Sequence, residues 1–284
     1  MLQVEQKRET RAVSTVVKRK ARQDRLTFWK TVGIRVVFFC ILLGGWQFLS
    51  ALNLWNNLLF PTPLQVITNL SAGFKDNSYE IAIAASMKRL FLGYGVSTLL
   101  GVPLGLFLGR VRWLDNTVGT LALGLQALPS ICWLPLAILW FGLSEFSMLF
   151  VVIMGSLMAF TLAVRDGVKT IPTLYLRASK VMGASNWKSY AYVIFPASLP
   201  SILTGAKLGW SFAWRSLMAA ELLYVNVGLG SNLMMGRELH DMGMVVATMV
   251  VIIAIGLIMD KVVFGSLEKI IQTRWGFNAY QQHI

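Results

Sequence analysis

Five residues of one long apolar run have the widest chemical scope in this chain: Lys207, Trp210, Trp214, Arg215 and Glu221. Lys207, Trp214 and Glu221 recur every seven residues, so on a helix they fall on nearly one stripe, with Trp210 and Arg215 beside it. Charges within such a run are costly and normally face a bundle interior or water. There Arg215 could present its donors to an anionic oxygen group, and Trp214 could shape a cavity. The competing reading is a structural ion pair, with Glu221 partnering Arg215 or a residue elsewhere. Their separation of six is poor for a pair on one helix, which favours partners on other helices. Covalent chemistry has no candidate in this sequence, because neither a phosphate-cradling glycine loop nor a nucleophile triad is present. His240 and His283 lie far apart, and Cys40 and Cys132 sit in apolar runs without His or Cys at metal spacing. No catalytic residue, metal site or cofactor of its own is expected.

The elements that carry these residues follow from composition. Of 284 residues 56% are hydrophobic and only 14% charged, with a mean hydropathy of +0.62. Soluble domains carry about 25% charged residues. Such a chain cannot clothe itself for water, so most of its surface must meet lipid. The net charge of +13 does not indicate nucleic acid, because the basic residues crowd an N-terminal arm and short stretches between apolar blocks. The arm holds Lys18-Arg19-Lys20-Ala21-Arg22, then Arg25, Lys30 and Arg35. It reads as a cytoplasmic tail lying partly on anionic lipid, not as a cleaved secretory signal.

Six apolar segments approach the roughly 20 residues needed to cross a bilayer. They run over about Ile34–Leu52, Leu90–Leu108, Val118–Phe141, Phe146–Val164, Ser201–Leu223 and Met244–Phe264. They must be helices, since backbone groups in hydrocarbon have to be satisfied within the segment. With both termini cytoplasmic, 20 Lys and Arg fall inside and four (Lys75, Lys88, Arg89, Arg237) outside, the asymmetry that sets orientation. The expected fold class is an all-α integral membrane protein. Its expected parts are a basic arm over 1–33, a six-span domain over 34–264 with a cytoplasmic loop at about 165–200, and a cytoplasmic tail over 265–284.

Gly101, Gly105 and Gly109 form a small-xxx-small pattern that permits close helix approach. Pro129 and Pro135, with Ser130 between them, remove backbone donors from the third span and force a kink or a break. Such a break either lines a cavity or is an ordinary kink filled by neighbours.

The loop after the fourth span is too polar to cross a membrane and too patterned for a linker. Pro172 can open a helix. Gly183 offers the left-handed conformation that stops one, and Ser185 can cap a second that runs through Trp187, Tyr190 and Val193 until Pro196. The run Arg177-Ala178-Ser179-Lys-Val-Met-Gly183-Ala184, continued to Val193-Ile-Phe-Pro196, resembles the EAA loop of ATP-binding-cassette importer permeases. Ala178, the Gly183 spacing, Val193 and Pro196 match that pattern; Arg177, Ser179 and Phe195 depart from it. Leu128-Pro-Ser, Trp133 to Gly142, Phe212 to Glu221 and Gly228-Leu-Gly230 are similar to the nitrate/sulfonate/taurine/bicarbonate branch. The N-terminal arm lies outside the resemblance.

That resemblance implies a type I importer permease fold, with Arg177, Ala178, Ser179, Gly183, Ala184, Val193 and Pro196 coupling it to ATPase subunits. ATP and magnesium would belong to those partners. It further implies a second permease copy, a periplasmic or lipid-anchored binding protein, and a small oxyanion as cargo. Trp210, Trp214, Arg215, Glu221, Pro129 and Ser130 are the expected translocation-pathway residues. A secondary anion transporter or channel is the alternative, but it would not need the patterned loop.

Overall fold

The computed structural model describes residues 29–52, 59–223 and 227–275, which are helical apart from turns and short irregular links. Most of the basic arm and the end of the tail lie outside the described residues. Among the described residues five helices are long and apolar enough to cross a membrane, six if the one bent pair is counted as a span. The chain divides into two units, the first reaching Val66 and the second starting at Ile67.

In the first unit, α1 (Trp29–Ala51) is apolar all round, the composition that hydrocarbon selects. After it, the Trp46 indole donates to the Pro61 carbonyl at 3.0 Å. Thr62 and Gln65 then exchange backbone-to-side-chain hydrogen bonds of 2.8 and 3.2 Å, a reciprocal capping box that opens α2 (Pro63–Lys75).

In the second unit, α3 (Ser78–Leu108) follows a left-handed Asn77. The Asp76 carboxylate accepts the Ser78 N–H at 2.9 Å, and that bond holds its carboxyl below the usual carboxylate range. This helix starts well before the predicted Leu90, so Lys88 and Arg89 belong to it and not to an outer loop. The reason is tertiary: Arg89 finds the buried Glu221 carboxylate and the half-exposed Glu145, which hydropathy cannot register.

Next come α4 (Arg112–Ala127) and α5 (Ser130–Phe141), bent by 102° at the break between them. Leu128 and Pro129 are extended there, and Ser130–Trp133 makes a tight 3₁₀ turn. Pro135 sits in the first turn of the helical stretch that follows, where its missing N–H costs nothing. Of the two outcomes the prolines allow, the chain takes the break.

The core of the unit is α6 (Glu145–Lys169), which packs against both α3 and α8 (Trp187–Leu223). Small residues make this close approach feasible. A Cβ at Gly101 would lie 2.7 Å from Phe160, one at Gly105 2.6 Å from the Thr161 carbonyl, and one at Gly109 2.5 Å from Val168. The glycine stripe read from the sequence therefore forms the α3–α6 seam, and Gly93 and Ser97 extend it. Between α6 and α8 lies the short α7 (Thr173–Val181), and α9 (Leu229–Glu238) and α10 (Met242–Ile271) close the unit.

Candidate functional site

The α7–α8 loop is built by local rules. Gly183 has φ +76°. Around it the Ala184 N–H donates to the Ser179 carbonyl and the Gly183 N–H to the Lys180 carbonyl, each at 3.0 Å, the paired bonds of a Schellman ending. Ser185 caps the next helix, accepting from the Lys188 N–H at 3.4 Å. That helix does not end at Pro196, as the sequence suggested. It widens into a π segment over Tyr190–Ile194 and continues through Pro196 and Pro200 as α8. Wider hydrogen-bond spacing just before Pro196 absorbs the loss of its donor.

Ser179, where the EAA pattern has alanine, is buried. Its hydroxyl donates to the Leu176 carbonyl at 2.9 Å and lies 3.1 Å from the Ser189 hydroxyl, tying the two short helices together. Arg177, Ala178 and Gly183 are exposed, Ala184 and Val193 half-buried. Beside them stand Val181, Met182 and Trp187, which are 89%, 86% and 77% exposed. Beneath, Ile194 is buried against Val168 and Ile171, and the Tyr190 ring lies tilted against Phe107 of α3, centres 6.2 Å apart. The loop is thus an apolar knob on a fixed base.

The helix break builds a second feature. Pro129 and Ser130 share a recess of about 320 Å³ with Gln126, Gly155, Phe212 and Arg215. The Arg215 Nε donates to the Ser211 carbonyl at 3.0 Å, and its guanidinium lies 4.7 Å from the centre of the Phe212 ring. Among the described residues no carboxylate reaches it. A charged, donor-rich group held by its own helix and facing a half-polar recess can meet an anionic oxygen.

Other residues of the α8 stripe go to helix packing. Trp210 is buried among Phe91, Tyr94 and Phe264, with ring centres 5.3 to 6.0 Å apart. Trp214 is buried, its indole nitrogen near Gly256 of α10. Lys207 pairs with Asp260 at 3.0 Å. Glu221 is 2% exposed, and both of its oxygens are engaged. Ser86 donates at 2.8 and 2.9 Å, Arg89 at 3.0 Å and the Gly230 N–H at 2.9 Å.

Residues 101–273, from the middle of α3 to just past α10, match the family of binding-protein-dependent transport system inner membrane components. The chain belongs to that family. A Methanocaldococcus jannaschii protein named as an ABC transporter permease is 37% identical over 62% of this chain and 66% of its own. The taurine transport system permease protein TauC of Escherichia coli is 28% identical over 87% of this chain and 94% of its own. In fold, the chain resembles a chain of the MetNI methionine ABC transporter, with a TM-score of 0.60 and 16% identity. That match covers 68% of this chain and 96% of the other.

In this permease, the features that sequence reasoning missed are Gln126 in the recess and Ser86 and Arg89 in the buried cluster. A polar Gln126 in an apolar segment, just before Leu128-Pro129, was the available signal for the first. Arg89 gave a misleading one, since a cation next to an apolar run reads as its flank.

Proposed function

We propose that this permease subunit carries a small oxyanion, sulfonate or taurine-like before nitrate or bicarbonate, into the cytoplasm by ATP-driven alternating access. The observation that carries the cargo class is Arg215, a cation without a carboxylate partner among the described residues, in the recess made by the α4–α5 break. The taurine permease relative supports the same class.

On this reading Pro129 holds the backbone open, while Ser130, Gln126 and Arg215 offer hydrogen bonds to the passing anion. Binding there is weak by design, because a tight site would slow release. Trp210 and Trp214 hold α8, which carries Arg215, against α3 and α10. The exposed apolar knob around Gly183 docks on an ATPase subunit, which supplies ATP and magnesium chemistry. Its rigid base lets nucleotide-driven motion bias a two-state membrane domain. A second copy of the permease completes the path, and a binding protein delivers cargo from outside. Twenty inside Lys and Arg, against Lys75 and Arg237 outside once Lys88 and Arg89 are counted with α3, favour both termini in the cytoplasm.

A deletion strain tested on single sulfur and nitrogen sources examines the cargo. Loss of growth on sulfonates, restored by the gene, is the expected result. Normal growth on every sulfonate with failure on nitrate would replace sulfonate by nitrate. ATP-independent uptake by the purified permease alone would favour the secondary-transporter alternative.

A further inference from the structure

We infer that Arg89 is a positioning residue for transport, fastening the turn Val227–Gly230 to the central helices. Arg89 is 4% exposed in α3, yet it meets three other elements. One terminal nitrogen donates to Glu221 of α8 at 3.0 Å and to the Val227 carbonyl at 2.7 Å. The other donates to Glu145, at the start of α6, at 3.0 Å. Ser86, one helical turn away, accepts the Leu229 N–H at 2.9 Å while donating to Glu221. The turn's backbone is thereby read atom by atom: a carbonyl at 227 and two N–H groups at 229 and 230.

Stability alone is a weak reason for this arrangement, since a buried ion pair can often be replaced by apolar groups without loss. The Arg89 Nε is even left buried with no hydrogen-bond partner. What the cluster adds is direction. Its arms join the turn before α9 to α3, α6 and α8, the three helices that the glycine seams weld together and that carry the knob at their far end. Displacement of the knob then reaches the turn as motion of one body, without slack. Glu145 is half exposed and forms the adjustable arm; Glu221 is the fixed one.

This inference rests on the permease reading, and the test separates the two. The full complex with its ATPase and binding protein is made as the parent, Arg89→Lys, Arg89→Met, and Arg89→Met with Glu221→Gln. The double variant removes both buried charges, so that it assembles even if Arg89→Met does not. Hydrogen exchange over residues 227–238 is followed alongside ATP-driven uptake. In the assembled double variant the turn should exchange about tenfold faster or more. Uptake should fall by a similar factor while basal ATP hydrolysis persists, and Arg89→Lys should recover part of both. Unchanged exchange in the double variant overturns the inference, and so does faster exchange with uptake at the parental rate. Failure of the parent to take up any oxyanion would count against the permease reading alone, since exchange still reads the turn.

Discussion

The Glu221 carboxylate, at the end of α8, accepts the backbone N–H of Gly230, nine residues further along the chain, at 2.9 Å. A Cβ at Gly230 would stand 2.4 Å from the Glu221 Cβ, and one at Gly228 2.7 Å from its carboxylate. Residue 228 is extended and accepts any side chain by conformation, so both glycines are needed for space and not for backbone freedom. Glu-to-glycine contact holds the start of α9 against the end of α8 without leaving a buried carboxylate unsatisfied.

Gly230→Val should therefore lose assembled protein. Its branched side chain cannot enter without pushing the α9 start off Glu221, which strips hydrogen bonds from a buried charge. A cost of about 3 kcal/mol or more follows from leaving such a group uncompensated. Thermal stability of the purified permease in detergent measures it, and a parental melting temperature would contradict so close a contact between Glu221 and Gly230.

At the α3–α6 seam, Gly105→Val should destabilise by about 1–3 kcal/mol, because the added atoms meet the Thr161 carbonyl and the Val164 side chain. Gly95, with open space around its Cβ position, is the control, and Gly95→Ala should leave folding intact. Equal yields and equal melting for the two variants would show that the seam has room for a branched side chain.

In the α7–α8 loop, Gly183→Val penalises a φ of +76° by about 1 kcal/mol or more while touching nothing, since no atom lies near its Cβ position. Membrane insertion should be normal and binding-protein-stimulated ATP hydrolysis reduced. Full stimulation in an assembled complex would remove the loop from coupling.

Arg215→Gln should cut uptake by about tenfold, equivalent to about 1.4 kcal/mol, with the subunits assembled and ATP hydrolysis retained. Arg215→Lys should recover much of the loss if charge matters, and little if the planar fork does. Collapse of assembly with Arg215→Gln would make the residue structural, despite its exposure and lack of a carboxylate partner among the described residues.

Sequence by itself determined the elements whose causes are local. Apolar length produced the candidate spans, Pro129 broke the third segment, and Gly183 with Ser185 set the loop, because each acts through its own φ, its own missing donor or its own cap. The Gly101-Gly105-Gly109 stripe announced a close seam for the same reason: spacing fixes which face is small. Partners across the fold were not legible. Glu221 and Lys207 share one helical stripe with Trp214, yet Glu221 goes to Arg89, Lys207 to Asp260, and Trp214 to the packing against α10. Only the tertiary structure decided that, since an intramembrane charge settles where another helix brings its counter-charge. It also set the start of α3, because the cost of carrying Arg89 inside a helix disappears only once Glu221, more than a hundred residues away, folds against it.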